Sequence, residues 1–227
     1  MCIAEAVKHP VSLALAYEGM GLRYLRQGPL QRAVPVLERA VGLCEEADLR
    51  FHFSRLTPLL GSAYILCGRV DEAVQLVERT VEQATSGSIV PIQLLQLASL
   101  AETHLHTGRL EEAQRLATQA REYFQPHRHR GREAYTLHLL GDIAAHCEPP
   151  KITEGEVYYG QALALTEELG MRPLQAHCHR GLGTLYAKIG RPEHTRAHLA
   201  AVDLYRSMAM TCWLPEAETA LARVKGG

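Results

Sequence analysis

Apolar residues recur at three- and four-residue steps along most of the chain, and one segment illustrates the pattern. Its first apolar stripe consists of Leu59, Leu60, Ala63, Tyr64 and Cys67. Such spacing places side chains on one face of a helix. Gly68 follows, where a glycine can end a helix in the left-handed conformation without steric cost. A second stripe consists of Val70, Ala73, Val74, Val77 and Val81. The pattern predicts two helices joined at Gly68.

This two-stripe pattern repeats along the chain. Its turn glycines are Gly28, Gly68, Gly108 and Gly190, and seven residues before each lies a small residue. The first three glycines are 40 residues apart. A weaker copy begins at Gly141, carries Glu148 at the turn position, and lies 42 residues before Gly183. A fixed period of this length predicts a solenoid of stacked helix pairs.

No segment shows the sustained alternation of a strand, so the prediction is an all-α fold. We expect a right-handed superhelical solenoid of five helix pairs plus a C-terminal capping helix, as a single domain over residues 1–227. Pro35 and Pro58 are expected to kink or interrupt their helices. The repeats and the cap are predicted over residues 10–48, 50–86, 90–125, 131–169, 172–210 and 213–225.

Composition and charge argue against a nucleic-acid-binding protein, a membrane protein and a secreted protein. Lysine plus arginine number 24 against 25 aspartates plus glutamates, which gives no electrostatic footprint for nucleic acid or an anionic membrane. No apolar run is long enough to span a bilayer, and the N-terminus lacks the features of a signal peptide. The six cysteines form no Cys-x-x-Cys pair. These features predict a cytoplasmic protein with reduced thiols.

The repeated residues resemble the tetratricopeptide repeat, whose helix pair has a small residue, an aromatic, a turn glycine and an alanine in that order. Gly61, Tyr64, Gly68 and Ala73 fit this pattern. The period is longer than the usual value of about 34 residues. Residues 169–186 and 208–214 are similar to C-terminal repeat arms of bacterial adenylate cyclase and signalling ATPase proteins. With no cyclase domain or phosphate-binding loop in the sequence, the resemblance implies an accessory arm without its enzyme.

The resemblance implies a non-catalytic scaffold that binds a peptide or helix of another protein in a concave groove, without a cofactor. Its apolar groove residues would be Leu15, Leu22, Leu25 and Ile65. Its polar groove residues would be Glu18, Glu102, His106, Tyr135, His138, Asp142, His146, His177, Arg180 and Lys188. No catalytic motif occurs in the sequence.

An alternative function is a sensor arm that binds a ligand or a metal ion. His138, Asp142 and His146 are four residues apart and share one helix face. Imidazole and carboxylate groups bind metals such as zinc, so these residues are the metal candidates. The ordinary interpretation of the same residues is a solvated polar helix face.

The N-terminal end is the predicted association surface. Met1–Val7 are similar to the last turns of a second helix, but no first helix precedes them, whereas residues 214–225 form an amphipathic cap. An uncapped repeat leaves apolar surface in water. We therefore expect this end to bind upstream repeats, a partner domain or a second copy of the chain.

Overall fold

The structure is a computed structural model that describes residues 9–28, 30–86, 90–191 and 193–225. Side chains are described for these residues except 81–95, 224 and 225. Within these residues the regular structure is entirely helical, which confirms the all-α prediction. The helices are α1 (Pro10–Gln27), α2 (Leu30–Glu46), α3 (Arg50–Leu66), α4 (Val70–Ser86), α5 (Val90–His106), α6 (Leu110–Phe124), α7 (Arg130–His146), α8 (Ile152–Glu168), α9 (Arg172–Lys188), α10 (Glu193–Ser207) and α11 (Leu214–Lys225). None of these described helices has the length and hydropathy needed to cross a bilayer.

The predicted turns are found between the helices. Gly68, Gly108 and Gly190 adopt positive φ angles of 75°, 76° and 66°, the left-handed conformation that glycine adopts without steric cost. Gly28 ends α1 with φ 179°, so its backbone is extended instead. Gly170, which has no place in the repeat pattern, adopts φ 65° between α8 and α9.

The chain divides into two compact units between Thr107 and Gly108. In the first unit α1, α3 and α5 lie side by side, and α2 and α4 pack against them. In the second unit α7, α9 and α11 lie side by side, and α8 and α10 pack against them. We call the first set in each unit its first-helix layer. The single domain, the superhelix and the count of five pairs stay predictions.

Glycines let side chains from α8 and α10 enter the first-helix layer of the second unit. A Cβ atom on Gly141 would lie 2.7 Å from the ring of Tyr159, and one on Gly181 would lie 2.5 Å from it. Tyr159 therefore passes between α7 and α9, where it is fully buried. Likewise, a Cβ atom on Gly183 would lie 2.6 Å from the ring of His198 in α10.

The two internal prolines do not interrupt their helices. α2 continues through Pro35 and α3 through Pro58, so an interruption is wrong at both positions, and a kink stays a prediction. In α2, Val34 and Leu37 on either side of the proline are buried in the core. Such packing offsets the hydrogen bond that an internal proline removes.

The predictions for the two ends of the chain have different outcomes. α11 forms within the predicted cap and packs on α10 and α9 through buried Ala217. Met1–Val7 lie outside the described residues, so the N-terminal association surface stays a prediction. On α1, the Leu15 side chain is exposed.

Candidate functional site

Polar and aromatic side chains converge on the first-helix layer of the second unit. Helices α7 and α9 each contribute two of them, α8, α10 and α11 contribute one each, and the last lies in the turn before α11. We call this set the polar cluster, and its members are His138, Asp142, Tyr159, His177, Arg180, Tyr205, Trp213 and Glu216.

Asp142 holds one side of the polar cluster. Its Oδ1 accepts a hydrogen bond of 2.5 Å from the hydroxyl of Tyr159, which reaches it between Gly141 and Gly181. Its Oδ2 lies 3.5 Å from Nδ1 of His138, one helical turn away on α7. The Nε2 atom of His138 is buried, and the backbone of His177 lies close enough to the ring to favour its protonated form.

His177 connects this pair to the C-terminal helices. Its Nδ1 shares a hydrogen bond of 2.7 Å with the hydroxyl of the buried Tyr205. Its ring centroid lies 6.1 Å from that of His138 and 4.7 Å from that of Trp213, with an edge-to-face arrangement in both cases. The Nε1 atom of Trp213 is buried and lacks a hydrogen-bond partner in the described part of the chain. A continuous row of rings thus runs from α7 to α11.

Arg180 supplies the positive charge of the polar cluster. Its guanidinium carbon lies 5.2 Å from the centre of the Trp213 ring, within the range of a cation–π interaction. Its Nη1 donates a hydrogen bond of 3.0 Å to Glu216, the ion pair that joins α9 to α11. The Arg180 side chain is 25% exposed, whereas that of Glu216 is 67% exposed.

Burial determines the protonation of the two imidazoles. It lowers the pKa of His138, an effect that Asp142 and the backbone of His177 oppose and that Arg180 reinforces. Burial also lowers the pKa of His177 well below its ordinary value, with further lowering by His138 and Arg180. Both rings are therefore neutral at neutral pH. The same burial raises the pKa of Tyr159 well above its usual range, so its hydroxyl stays a donor to Asp142.

The structure separates His146 from the other metal candidates. His146 is exposed, and its Nδ1 bonds to the backbone carbonyl of Asp142, 2.7 Å away on its own helix. Among the described residues, no group of three His, Cys, Asp or Glu side chains is placed to hold a metal ion. The expected convergence of all three candidates is therefore wrong for His146, whereas His138 and Asp142 do meet.

The remaining groove candidates of the second unit lie at its surface. Tyr135 is on α7 with 47% of its area exposed. Lys188 is exposed at the end of α9, and its Nζ donates a 2.5 Å hydrogen bond to the carbonyl of Ala145. That carbonyl belongs to the last turn of α7, where a cation is favourable.

The candidates in the first unit are distributed between core and surface. Leu15 is exposed, Leu22 and Leu25 are half-buried, and Ile65 is buried in the core. Glu102 accepts a hydrogen bond of 2.9 Å from Ser62, and His106 is exposed at the end of α5. No cluster like that of the second unit forms among these side chains in the described residues.

Glu18 has a specific partner that the sequence did not indicate. Its carboxylate accepts a hydrogen bond of 2.7 Å from Arg55, which links α1 to α3. The Glu18 side chain is only 11% exposed, whereas Arg55 is 41% exposed. Arg55 thus compensates a carboxylate that has lost most of its water.

Removal of Arg55 is expected to destabilise the chain. Arg55→Ala leaves the Glu18 carboxylate buried without its cation, and we expect the free energy of unfolding in urea to fall by about 1–3 kcal/mol. Arg39→Ala is the control, since the Arg39–Glu46 pair is exposed at both ends and its loss is expected to change stability by less than about 0.5 kcal/mol. Equal effects of the two substitutions would contradict the assignment.

Four members of the polar cluster are not among the residues predicted from the sequence to line the groove, namely Tyr159, Tyr205, Trp213 and Glu216. They lie outside the first helices of the repeats, which carry the predicted groove residues. One signal was available, since Gly141 and Gly181 leave space for a large side chain on a neighbouring helix. The residues near these glycines do not indicate which distant residue fills that space.

Comparisons with known proteins agree with this architecture. Residues 59–87 match the family model described as tetratricopeptide repeat, and no curated protein matches the sequence. One similar solved structure is a putative kinesin light chain with nearly identical TPR-like repeats from Podosopora anserina. It is 22% identical with a TM-score of 0.55, over 88% of this chain and 98% of that one.

Two further solved structures are similar. A signal transduction ATPase with numerous domains (STAND) that carries a tetratricopeptide repeat sensor, from Pyrococcus horikoshii, is 17% identical with a TM-score of 0.68. The match covers 97% of this chain and 33% of that one, so this chain spans about a third of that protein. BtubC from P. vanneervenii is 17% identical with a TM-score of 0.58, over 98% of this chain and 86% of that one. At these identities the similarity establishes the fold, which is that of tetratricopeptide-like repeat proteins.

Proposed function

We infer from the tetratricopeptide-like repeat fold that this chain is a non-catalytic protein–protein interaction scaffold. Repeats of this kind generally mediate protein–protein interactions, and the fold is typically non-enzymatic. The surface that we propose for the partner is the first-helix layer of the second unit. The partner would be a peptide or a helix laid along that layer.

The polar cluster is the observation that carries this proposal. A buried row of hydrogen-bonded rings is unnecessary for packing helices, because apolar side chains fill such space equally well. Here the Nε1 atom of Trp213 is buried without a hydrogen-bond partner among the described residues. A buried polar group without a hydrogen bond costs free energy, and local violations of this kind are concentrated at functional sites. Exposed Tyr135, on the same layer, adds the type of aromatic side chain that is enriched at interfaces.

We further propose that the scaffold is an accessory arm of a signalling protein. The support is the similarity to the STAND protein from Pyrococcus horikoshii, whose tetratricopeptide repeat is described as a sensor. A cytoplasmic location fits this role, since Cys44, Cys67, Cys147, Cys178 and Cys212 are all free thiols. The metal-sensing alternative gains no support from the position of His146.

Site-specific photo-crosslinking tests the proposed surface. A benzoylphenylalanine replaces Tyr135 on α7, or Val157 on α8 as the matched control, since these side chains are 47% and 50% exposed. After irradiation in the native host cells, we expect discrete crosslinked protein partners from position 135, at least about tenfold more abundant than from position 157. Crosslinks of equal yield at both positions, or only at position 157, would contradict the proposal.

A further inference from the structure

The ion pair between Arg180 and Glu216 has the properties of a replaceable contact. Arg180 is mostly buried among aromatic rings, but it bonds to Glu216 through Nη1 alone. A guanidinium can bond to a carboxylate through two parallel N–H groups, which is the stronger geometry. Since two thirds of the Glu216 side chain is exposed, little free energy is required to move it into water.

The surroundings of Arg180 suit an acidic group better than a neutral one. The neighbouring imidazoles of His138 and His177 are neutral, so they do not compete for an anion or contribute a second cation. Trp213 covers one side of the guanidinium at 5.2 Å. Asp142 lies near enough to interact electrostatically with Arg180, but its carboxylate is engaged by Tyr159.

We propose that Arg180 anchors a side-chain carboxylate of the bound partner, and that Glu216 is an internal carboxylate which this partner displaces. The proposal rests on the proposed function and adds the chemistry of the partner, an acidic peptide segment. α11 then regulates binding, because its Glu216 occupies the anchor until a partner with a stronger, two-point contact arrives.

Trp213 gives a direct readout of the anchor. It is the single tryptophan of the sequence, and it contacts both Arg180 and His177. The full chain is titrated at pH 7.5 and low ionic strength with the acetylated, amidated hexapeptide (Asp-Glu)3, while Trp213 fluorescence is recorded. The neutral hexapeptide (Asn-Gln)3 is the matched probe. We expect a saturable change with the acidic peptide only, which weakens with added salt.

Two substitutions decide the roles of the ion-pair partners. Glu216→Gln removes the competing carboxylate from an exposed position, and we expect it to tighten binding of the acidic peptide about twofold to fivefold. Arg180→Gln is expected to weaken binding at least about tenfold. Glu218→Gln is the control, because Glu218 lies on the same helix but pairs with Arg206, and it should leave binding unchanged.

The outcomes separate this inference from the proposed function. Equal binding of both peptides, no tightening by Glu216→Gln, or wild-type binding by Arg180→Gln would each overturn the anchor. Where Arg180→Gln does not fold, Arg180→Lys keeps the charge but not the two-point geometry, and it should weaken binding while Glu216→Gln still tightens it. Crosslinking from position 135 but not 157 would uphold the proposed surface even if the acidic peptide did not bind.

Discussion

Gly141→Ala is expected to lower the free energy of unfolding by about 1–3 kcal/mol, although alanine is the better helix former. The added Cβ atom would lie 2.7 Å from the ring of Tyr159, too close for any real contact. Tyr159 is fully buried between α7 and α9, so its ring cannot move away without losing its hydrogen bond to Asp142. Chemical unfolding followed by Trp213 fluorescence measures the effect in the second unit.

Two variants show whether contact with Tyr159 is the cause. Gly160 lies on α8 beside Tyr159, but a Cβ atom there would meet nothing within 4 Å. Gly160→Ala is therefore expected to raise stability by up to about 1 kcal/mol. In a Tyr159→Leu background, Gly141→Ala should lose most of its cost, which is a coupling of about 1–3 kcal/mol. An undiminished cost in that background would place the strain elsewhere.

The second unit is expected to lose stability as the pH falls below about 6.5. The folded-state pKa values of His138 and His177 are lowered, first by burial, so the unfolded chain binds protons more readily than the folded one. Stability is therefore full above the unfolded-state pKa of about 6.5 and declines as the pH falls toward the folded-state values. Each histidine that stays neutral contributes a loss of up to about 1.4 kcal/mol per pH unit.

Unfolding in urea between pH 5.5 and 7.5, with Trp213 fluorescence as the probe, measures this slope. The charged or titratable groups that interact with the two rings are Asp142, Tyr159, Arg180 and Tyr205. The double variant His138→Gln/His177→Gln should reduce the slope, even if it is less stable at pH 7.5. Part of the slope should remain, because burial also lowers the pKa values of His179 and His198 in this unit. The exposed His146 is the control, and His146→Gln should keep the slope of the wild type. A double variant with an unchanged slope would exclude these two imidazoles as its source.

The sequence determined the features of this fold that depend only on residues close together in the chain. Apolar spacing sets the buried face of each helix, and glycine can adopt positive φ without steric cost, so the helices and the turns at Gly68, Gly108 and Gly190 follow from neighbouring residues. The approach of His138 to Asp142 is also local, because residues four apart lie on the same helix face. The fold class and one side of the polar cluster were therefore predictable.

Tertiary packing decided which residues join that pair. His146 follows the same four-residue step as His138, yet it bonds to its own helix while His177 of α9 takes the place beside His138. Tyr159, Tyr205 and Trp213 reach the polar cluster from other helices, through spaces that depend on how those helices are rotated and spaced. A helical period specifies the face on which a side chain lies, but only the packed helices specify what lies opposite that face.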